Sequence, residues 1–177
     1  METSNPVDLL GKVLIADDLL SVRMVLRAVL SSAGHTVMAE ASTGREAVSL
    51  YHLFHPDVVL MDISMPEQDG LAAMEEILSV SPNAQVIVCT AMGFKKVATD
   101  ALRRGACDFA VKPFRPEAIL GAVQGALRRA QATSVNVDRV PLSLVRGTGT
   151  ESMAVEEHGG PGRFSLRAGI ARRSPAR

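Results

Sequence analysis

The sequence predicts an α/β fold: a doubly wound (βα)5 domain with one parallel five-stranded sheet, over residues 10–130. Two observations predict it. Short apolar runs alternate with stretches of helical periodicity five times between Lys12 and about Ala130. The runs are almost continuously apolar, as expected of parallel strands covered by helices on both faces. A third observation concerns function: Asp17-Asp18, Asp62, Thr90 and Lys112 each follow or end one of these runs. In open parallel sheets the carboxyl ends of the strands form the edge where sites are built.

The first strand is Val13-Leu14-Ile15-Ala16. The helix after it carries Val22, Val25, Leu26, Val29 and Leu30, the i, i+3, i+4, i+7, i+8 stripe of a packed face. Gly34 supplies its stop. A second strand, Thr36-Val37-Met38-Ala39, leads into Thr43-Gly44-Arg45-Glu46, which has capping-box spacing. The second helix presents Ala47, Leu50, Tyr51 and Phe54. The third strand, Asp57 to Met61, delivers Asp62, and Asp69 is positioned to cap a third helix with Leu71, Met74, Ile77 and Leu78 on its apolar side. Ser81-Pro82-Asn83 ends that helix, and Val86-Ile87-Val88-Cys89 forms the fourth strand. The fourth helix, about Phe94 to Arg104, has a thin stripe of Val97, Ala98, Ala101 and Leu102. Phe109-Ala110-Val111 is the fifth strand. Pro116 opens a fifth helix with Ile119, Leu120, Val123 and Leu127.

Residues 1–9 read as a flexible leader, and residues 131–177 as a disordered tail with Gly159-Gly160-Pro161-Gly162 and seven arginines against four acids. The chain of 177 residues is 47% hydrophobic, with nineteen acidic and nineteen basic side chains. Zero net charge argues against general polyanion binding. No stretch approaches the roughly 20 apolar residues that span a bilayer, and the N-terminus lacks a signal pattern. Cys89 and Cys107 give no pairing framework, so buried free thiols in a reducing cytoplasm are the expectation.

Taken singly, Asp17-Asp18 reads as a helix cap, Asp62 as a loop acid, Thr90 as a turn residue and Lys112 as a solvated lysine. Their common placement at strand ends favours one shared site. Crowded carboxylates raise one another's pKa, and a bound Mg²⁺ removes the conflict by taking oxygen ligands. Asp18, Asp62 and a carbonyl just after Asp62 could hold it, with Asp17 direct or through water. An aspartate can form an acyl phosphate, a hydroxyl such as Thr90 can hydrogen-bond its oxygens, and a lysine supplies compact positive charge.

With these residues in place, about Gly11 to Gln131 resembles the receiver domains of two-component response regulators. The motifs are Val-Leu-Ile-Ala-Asp17-Asp18, Met61-Asp62-Ile-Ser-Met-Pro66-Glu-Gln-Asp-Gly70, Thr90-Ala91 and Val111-Lys112-Pro113-Phe114. Val88 to Gly93 and Cys107 to Phe114 are most similar to the CheY-type chemotaxis receivers. The resemblance, and not the spacing, implies the flavodoxin-like strand order 2-1-3-4-5, for which CheY is a standard example. It also implies that Asp62 accepts a phosphoryl group from a CheA-like sensor histidine kinase. Asp17, Asp18, Asp62 and the Ser64 carbonyl would then bind Mg²⁺, and Thr90 and Lys112 would contact the phosphoryl group. By the same resemblance, Phe109 would be the aromatic that swings inward with Thr90, Ser64 and Met92 would tune phosphate lifetime, and the Lys112-Pro113 bond is expected to be cis.

The implied output face is the fourth helix, fifth strand and fifth helix. The implied partners are the flagellar motor switch and a separate phosphatase, in the cytoplasm, without membrane insertion or specific nucleic acid. Lys95, Lys96, Arg103, Arg104 and Arg115 make that region basic, which reads first as a solvated face and also suits an acidic peptide. A phosphatase-type enzyme would need a second acid two residues after Asp62, where Ser64 stands. A transcriptional regulator would need a DNA-binding unit, for which the tail is too short and broken. A phosphorelay intermediate shares the chemistry and stays open as the nearest alternative.

Overall fold

The computed structural model describes residues 9–91 and 95–137. The leader before Leu9, Met92 and the tail from Asp138 onward lie outside the described residues. Five strands alternate with five helices: β1 (Lys12–Ala16), α1 (Leu20–Ser32), β2 (Thr36–Ala41), α2 (Gly44–Phe54), β3 (Val58–Asp62), α3 (Gly70–Val80), β4 (Val86–Ala91), α4 (Lys95–Arg103), β5 (Asp108–Lys112) and α5 (Pro116–Val137). The strands are all parallel, in the order β2-β1-β3-β4-β5.

Side chains alternate across the central strands and build a core on each face. Val13, Ile15, Val58, Leu60, Ile87, Cys89 and Ala110 meet Leu26 and Leu30 of α1 and Ile119, Val123, Ala126 and Leu127 of α5. Leu14, Ala16, Val59, Met61, Val86 and Val88 meet Tyr51 of α2, Met74 and Ile77 of α3 and Ala101 of α4. Burial on both faces explains why β3 is apolar until Asp62.

The helix ends follow local chemistry. Thr43 Oγ1 accepts the Glu46 N–H at 3.1 Å, and the Glu46 carboxylate reaches back to the Ser42 N–H at 2.8 Å. The return bond therefore lands one residue earlier than in a capping box proper. Asp69 Oδ1 accepts the Ala72 N–H at 2.8 Å. Gly34, at φ +85°, closes α1 with its N–H on the Ser31 carbonyl while the His35 N–H reaches Leu30.

Several expectations need correction. Val25 is 53% exposed, because the packed stripe of α1 narrows to Leu26 and Leu30, with Val22 and Val29 half-buried. Phe54 and Leu102 are likewise exposed at the ends of their helices. The cap that Asp17-Asp18 suggests when taken singly is not formed, since the N-cap of α1 is Leu19 with no side-chain cap bond. Asp57 precedes β3 instead of opening it, and its carboxylate accepts the Lys12 N–H at 2.7 Å. α5 continues to Val137, and no glycine or proline interrupts the chain from Ala126 until Pro141.

Leu60 is fully enclosed at the centre of the sheet. Leu60→Ala is expected to cost about 2–5 kcal/mol of unfolding free energy. Urea titration followed by circular dichroism measures it, and a loss below about 1 kcal/mol would contradict the packing described.

Candidate functional site

Strand parity and register bring the site together. Asp17 continues the alternation Val13, Ile15; Asp62 continues Val58, Leu60; Lys112 continues Ala110. All three are therefore directed to the same side of the sheet edge, toward α1 and α5. Asp62 pairs with Cys89, and Cys89 with Ala110, so Lys112 lies two residues further along β5. At about 3.3 Å per residue that offset is nearly 7 Å, which a lysine side chain can span back to the carboxylates.

It does so. Lys112 Nζ stands 2.6 Å from Asp17 Oδ2 and 2.8 Å from Asp62 Oδ1. Asp17 is 1% exposed, Asp62 is buried and Asp18 is exposed. Oxygens of all three carboxylates lie within 4.8 Å of one another. The other Asp17 oxygen accepts the Leu19 N–H at 3.0 Å, and the Asp17 N–H binds the Ala41 carbonyl at 3.0 Å.

The charges shift one another. Burial pushes the Asp62 carboxyl above its ordinary value; Lys112 opposes this, while Asp17 and Asp18 add to it. Burial alone would lower the Lys112 ammonium, but its bonds to Asp17 and Asp62 prevail and hold it above its ordinary value. Burial pushes the Cys89 thiol well up, leaving it an inert core residue.

Ser64 is exposed in the loop after β3. That loop folds back tightly: the Gly70 N–H binds the Ile63 carbonyl at 2.9 Å, and the Gly44 N–H binds the Gln68 carbonyl at 3.2 Å. A Cβ on Gly70 would stand 1.8 Å from the Asp62 carbonyl oxygen, so only glycine lets the chain pass behind the aspartate. In the sequence Gly70 stands out only as the end of the Met61–Gly70 motif, because the contact behind it depends on the folded loop.

Thr90 is buried at the end of β4, one residue past the partner of Asp62, and shares its parity with Val86 and Val88. It therefore faces the opposite side from Lys112, and its hydroxyl lies at a marginal 3.5 Å from the Ala91 carbonyl. Phe109 is 40% exposed on β5, and Met92 lies outside the described residues. The structure thus brings Asp17, Asp18, Asp62 and Lys112 together, with Thr90 beside them across the edge. The Lys112-Pro113 peptide is cis. An apolar depression of about 540 Å³ opens beside Lys112, lined by Ser21, Val22, Val25, Pro113 and Phe114.

The donor set suits a divalent cation. All the donors are carboxylate oxygens, and three negative charges against one ammonium leave two uncompensated. Among the described residues no helix is long and apolar enough to cross a membrane.

Comparison with known proteins agrees with this geometry. Residues 13–124 match the family profile of the response regulator receiver domain. The chemotaxis protein CheY of Thermotoga maritima is 46% identical over 112 residues, covering 63% of this chain and 93% of that protein. CheY of Bacillus subtilis is 42% identical over 116 residues, covering 66% and 97%. Among solved structures, the CheX–CheY–BeF3–Mg²⁺ complex of Borrelia burgdorferi matches with a TM-score of 0.61 at 34% identity, covering 63% of this chain and 85% of that one.

The raised Asp62 carboxyl has a consequence for stability. The folded state holds that proton more tightly than the unfolded state, so stability falls as pH rises from the unfolded pKa through the folded one. The loss persists at neutral pH. Asp62→Asn without metal is therefore expected to melt at a higher temperature than the parent at pH 7. The gain should shrink as the pH drops below the ordinary carboxylate range. A lower neutral-pH melting temperature for the variant, read by circular dichroism, would contradict this electrostatic picture.

Proposed function

This chain belongs to the response regulator receiver family, and from that premise we propose that Asp62 accepts a phosphoryl group from a histidine kinase. The observation that carries the reading is the single ammonium of Lys112 shared between Asp17 and Asp62, with Asp18 alongside. An Asp62 oxygen attacks phosphorus as the bond to the kinase histidine nitrogen breaks, giving an aspartyl phosphate and a free imidazole. Mg²⁺ held by Asp17, Asp18, Asp62 and the Ser64 carbonyl would neutralise developing charge on the phosphoryl oxygens. Lys112, already hydrogen-bonded to Asp62, is within reach of those oxygens from one side, and the Thr90 hydroxyl approaches from the other. The apolar depression beside Lys112 gives a donor helix an open approach. The relative crystallised with BeF3 and Mg²⁺ supports a site for an anion and a divalent cation.

The reading is that of a signalling switch, with no turnover of free substrates. A phosphoryl group adds about −1.5 to −2 charge. Lys112 and Thr90 would shift toward it and favour an arrangement in which Phe109, now 40% exposed, turns inward. The output face is α4, β5 and α5, where Leu102, Phe109 and Val111 are exposed. Part of its basic charge is already paired: Arg104 with Glu75 at 2.9 Å and Arg103 with Asp100 at 3.6 Å. Lys96 of α4 and Arg115, just before α5, are exposed as well, a mix of charged and apolar residues that suits an amphipathic acidic peptide. The likeness to CheY over 93% of its length supports chemotaxis output through a flagellar motor switch, in the cytoplasm, with a CheA-like kinase.

Asp62→Asn is expected to abolish labelling by acetyl phosphate with Mg²⁺. Labelling at the parental rate, measured by phosphate-affinity gels, would end the proposal. Neither Ser64 nor Met92 carries an acid or amide to orient an attacking water. The isolated phosphoprotein should therefore lose its phosphate slowly and depend on a separate phosphatase. A lifetime of seconds in purified protein would argue otherwise.

A further inference from the structure

Arg23 lies outside the charged cluster yet touches the turn that carries two of its members. We propose that Arg23 is a positioning residue for the cation site, clamping the backbone of the Asp17-Asp18 turn onto Glu40 of the edge strand β2. The inference rests on the reading that this cluster holds Mg²⁺.

The contacts form a chain from β2 to the site. Arg23 Nη1 donates to the Asp17 carbonyl at 2.8 Å and reaches the Asp18 carbonyl at 3.4 Å. Its Nε donates to Glu40 Oε2 at 3.1 Å, and the other Glu40 oxygen accepts Arg27 Nε at 2.6 Å. The Arg23 side chain is only 14% exposed, so the fork is held by packing as well as charge. Burial raises the Glu40 carboxyl, but the two arginines outweigh it and keep the group below its ordinary value, ionised at neutral pH.

The turn needs such a clamp. Leu19, the N-cap of α1, makes no side-chain cap bond. One Asp17 oxygen is occupied by the Leu19 N–H and the other by Lys112. Asp18 is exposed, and Arg23 reaches its backbone carbonyl, so a shift of that turn would move its carboxylate. Beyond the Asp17 N–H bond to Ala41, Arg23 adds a second tie from the turn to β2, through the neighbouring residue Glu40. Its placement is otherwise unfavourable, because a cation near a helix N-terminus opposes the helix dipole. A role in aiming two metal-binding carboxylates accounts for it. A planar guanidinium can serve two carbonyls and a carboxylate at once, which a lysine ammonium on a flexible stem cannot reproduce.

The test is direct Mg²⁺ titration of the metal-free full chain by calorimetry, for the parent, Arg23→Ala, Arg23→Lys and Glu40→Gln. Melting curves in chelator verify that each variant folds. Outer-shell partners of metal ligands commonly change affinity by about 10–100-fold. Arg23→Ala is expected to weaken Mg²⁺ binding about tenfold, Arg23→Lys to recover little of it, and Glu40→Gln to lose less in the same direction. The Mg²⁺ concentration for half-maximal labelling by acetyl phosphate should rise in parallel, more than the plateau rate falls. Parental affinity in Arg23→Ala would overturn the inference, and so would full rescue by lysine, which would show that charge alone suffices. If Arg23→Ala does not fold, unchanged affinity in Arg23→Lys and Glu40→Gln overturns it equally. Absence of Mg²⁺ binding in the parent would sink the cation site itself. Normal parental binding with unaffected variants would sink only the role of Arg23.

Discussion

One ammonium group holds the functional edge together. Lys112 reaches back along β5 to stand within hydrogen-bond distance of both Asp17 and Asp62. Without it, two buried carboxylates and a third beside them would repel one another in a medium that screens charge poorly. With it, the edge still carries two uncompensated negative charges. The site is thus stable enough to form and unbalanced enough to attract a divalent cation. The same ammonium is hydrogen-bonded to the carboxylate that would carry a phosphoryl group, so arrival of the anion would redistribute contacts already in place.

The sheet makes that arrangement possible by being rigid where the site needs it. Parallel strands buried on both faces fix the register of Asp62 against Cys89 and of Lys112 against Ala91. Tight passage of the loop at Gly70 places backbone directly behind Asp62. On the opposite flank the packing is lighter. α4 buries small residues, Ala98 and Ala101, and leaves Leu102 exposed, while β5 exposes Phe109 and Val111. Elements with few buried apolar contacts move at lower free-energy cost than core strands. A firm site beside a loosely held surface fits the proposed switch.

The edge strand β2 has a part in this beyond closing the sheet. It receives the Asp17 N–H through Ala41 and, one residue earlier, holds Arg23 through Glu40. Half-buried charges tie the Asp17-Asp18 turn to the fold from the side opposite Lys112. Asp17 is thereby held by Lys112 at its side chain, and Asp17 and Asp18 by Arg23 at their backbone carbonyls.

Much of this was legible in the sequence. The fivefold alternation fixed the fold class, because apolar periodicity is a local property that survives without knowledge of contacts. The strand-end positions of Asp17, Asp18, Asp62 and Lys112 were legible for the same reason: in a parallel sheet every strand presents the same end to one edge. Helix faces were read less well. Val25 fits an ideal stripe but stands exposed, because the phase at which α1 meets the sheet depends on its neighbours. The continuation of α5 to Val137 is not legible either, since Thr133, Ser134, Val135 and Asn136 are weak helix formers.

The pairing of Arg23 with Glu40 and with the carbonyls of Asp17 and Asp18 was decided only by the folded chain, as were the opposed sides taken by Thr90 and Lys112 and the need for glycine at position 70. Residue type and spacing specify what each segment is. Which side chains meet across segments depends on strand register and helix rotation, and those are set by the packing of the whole core.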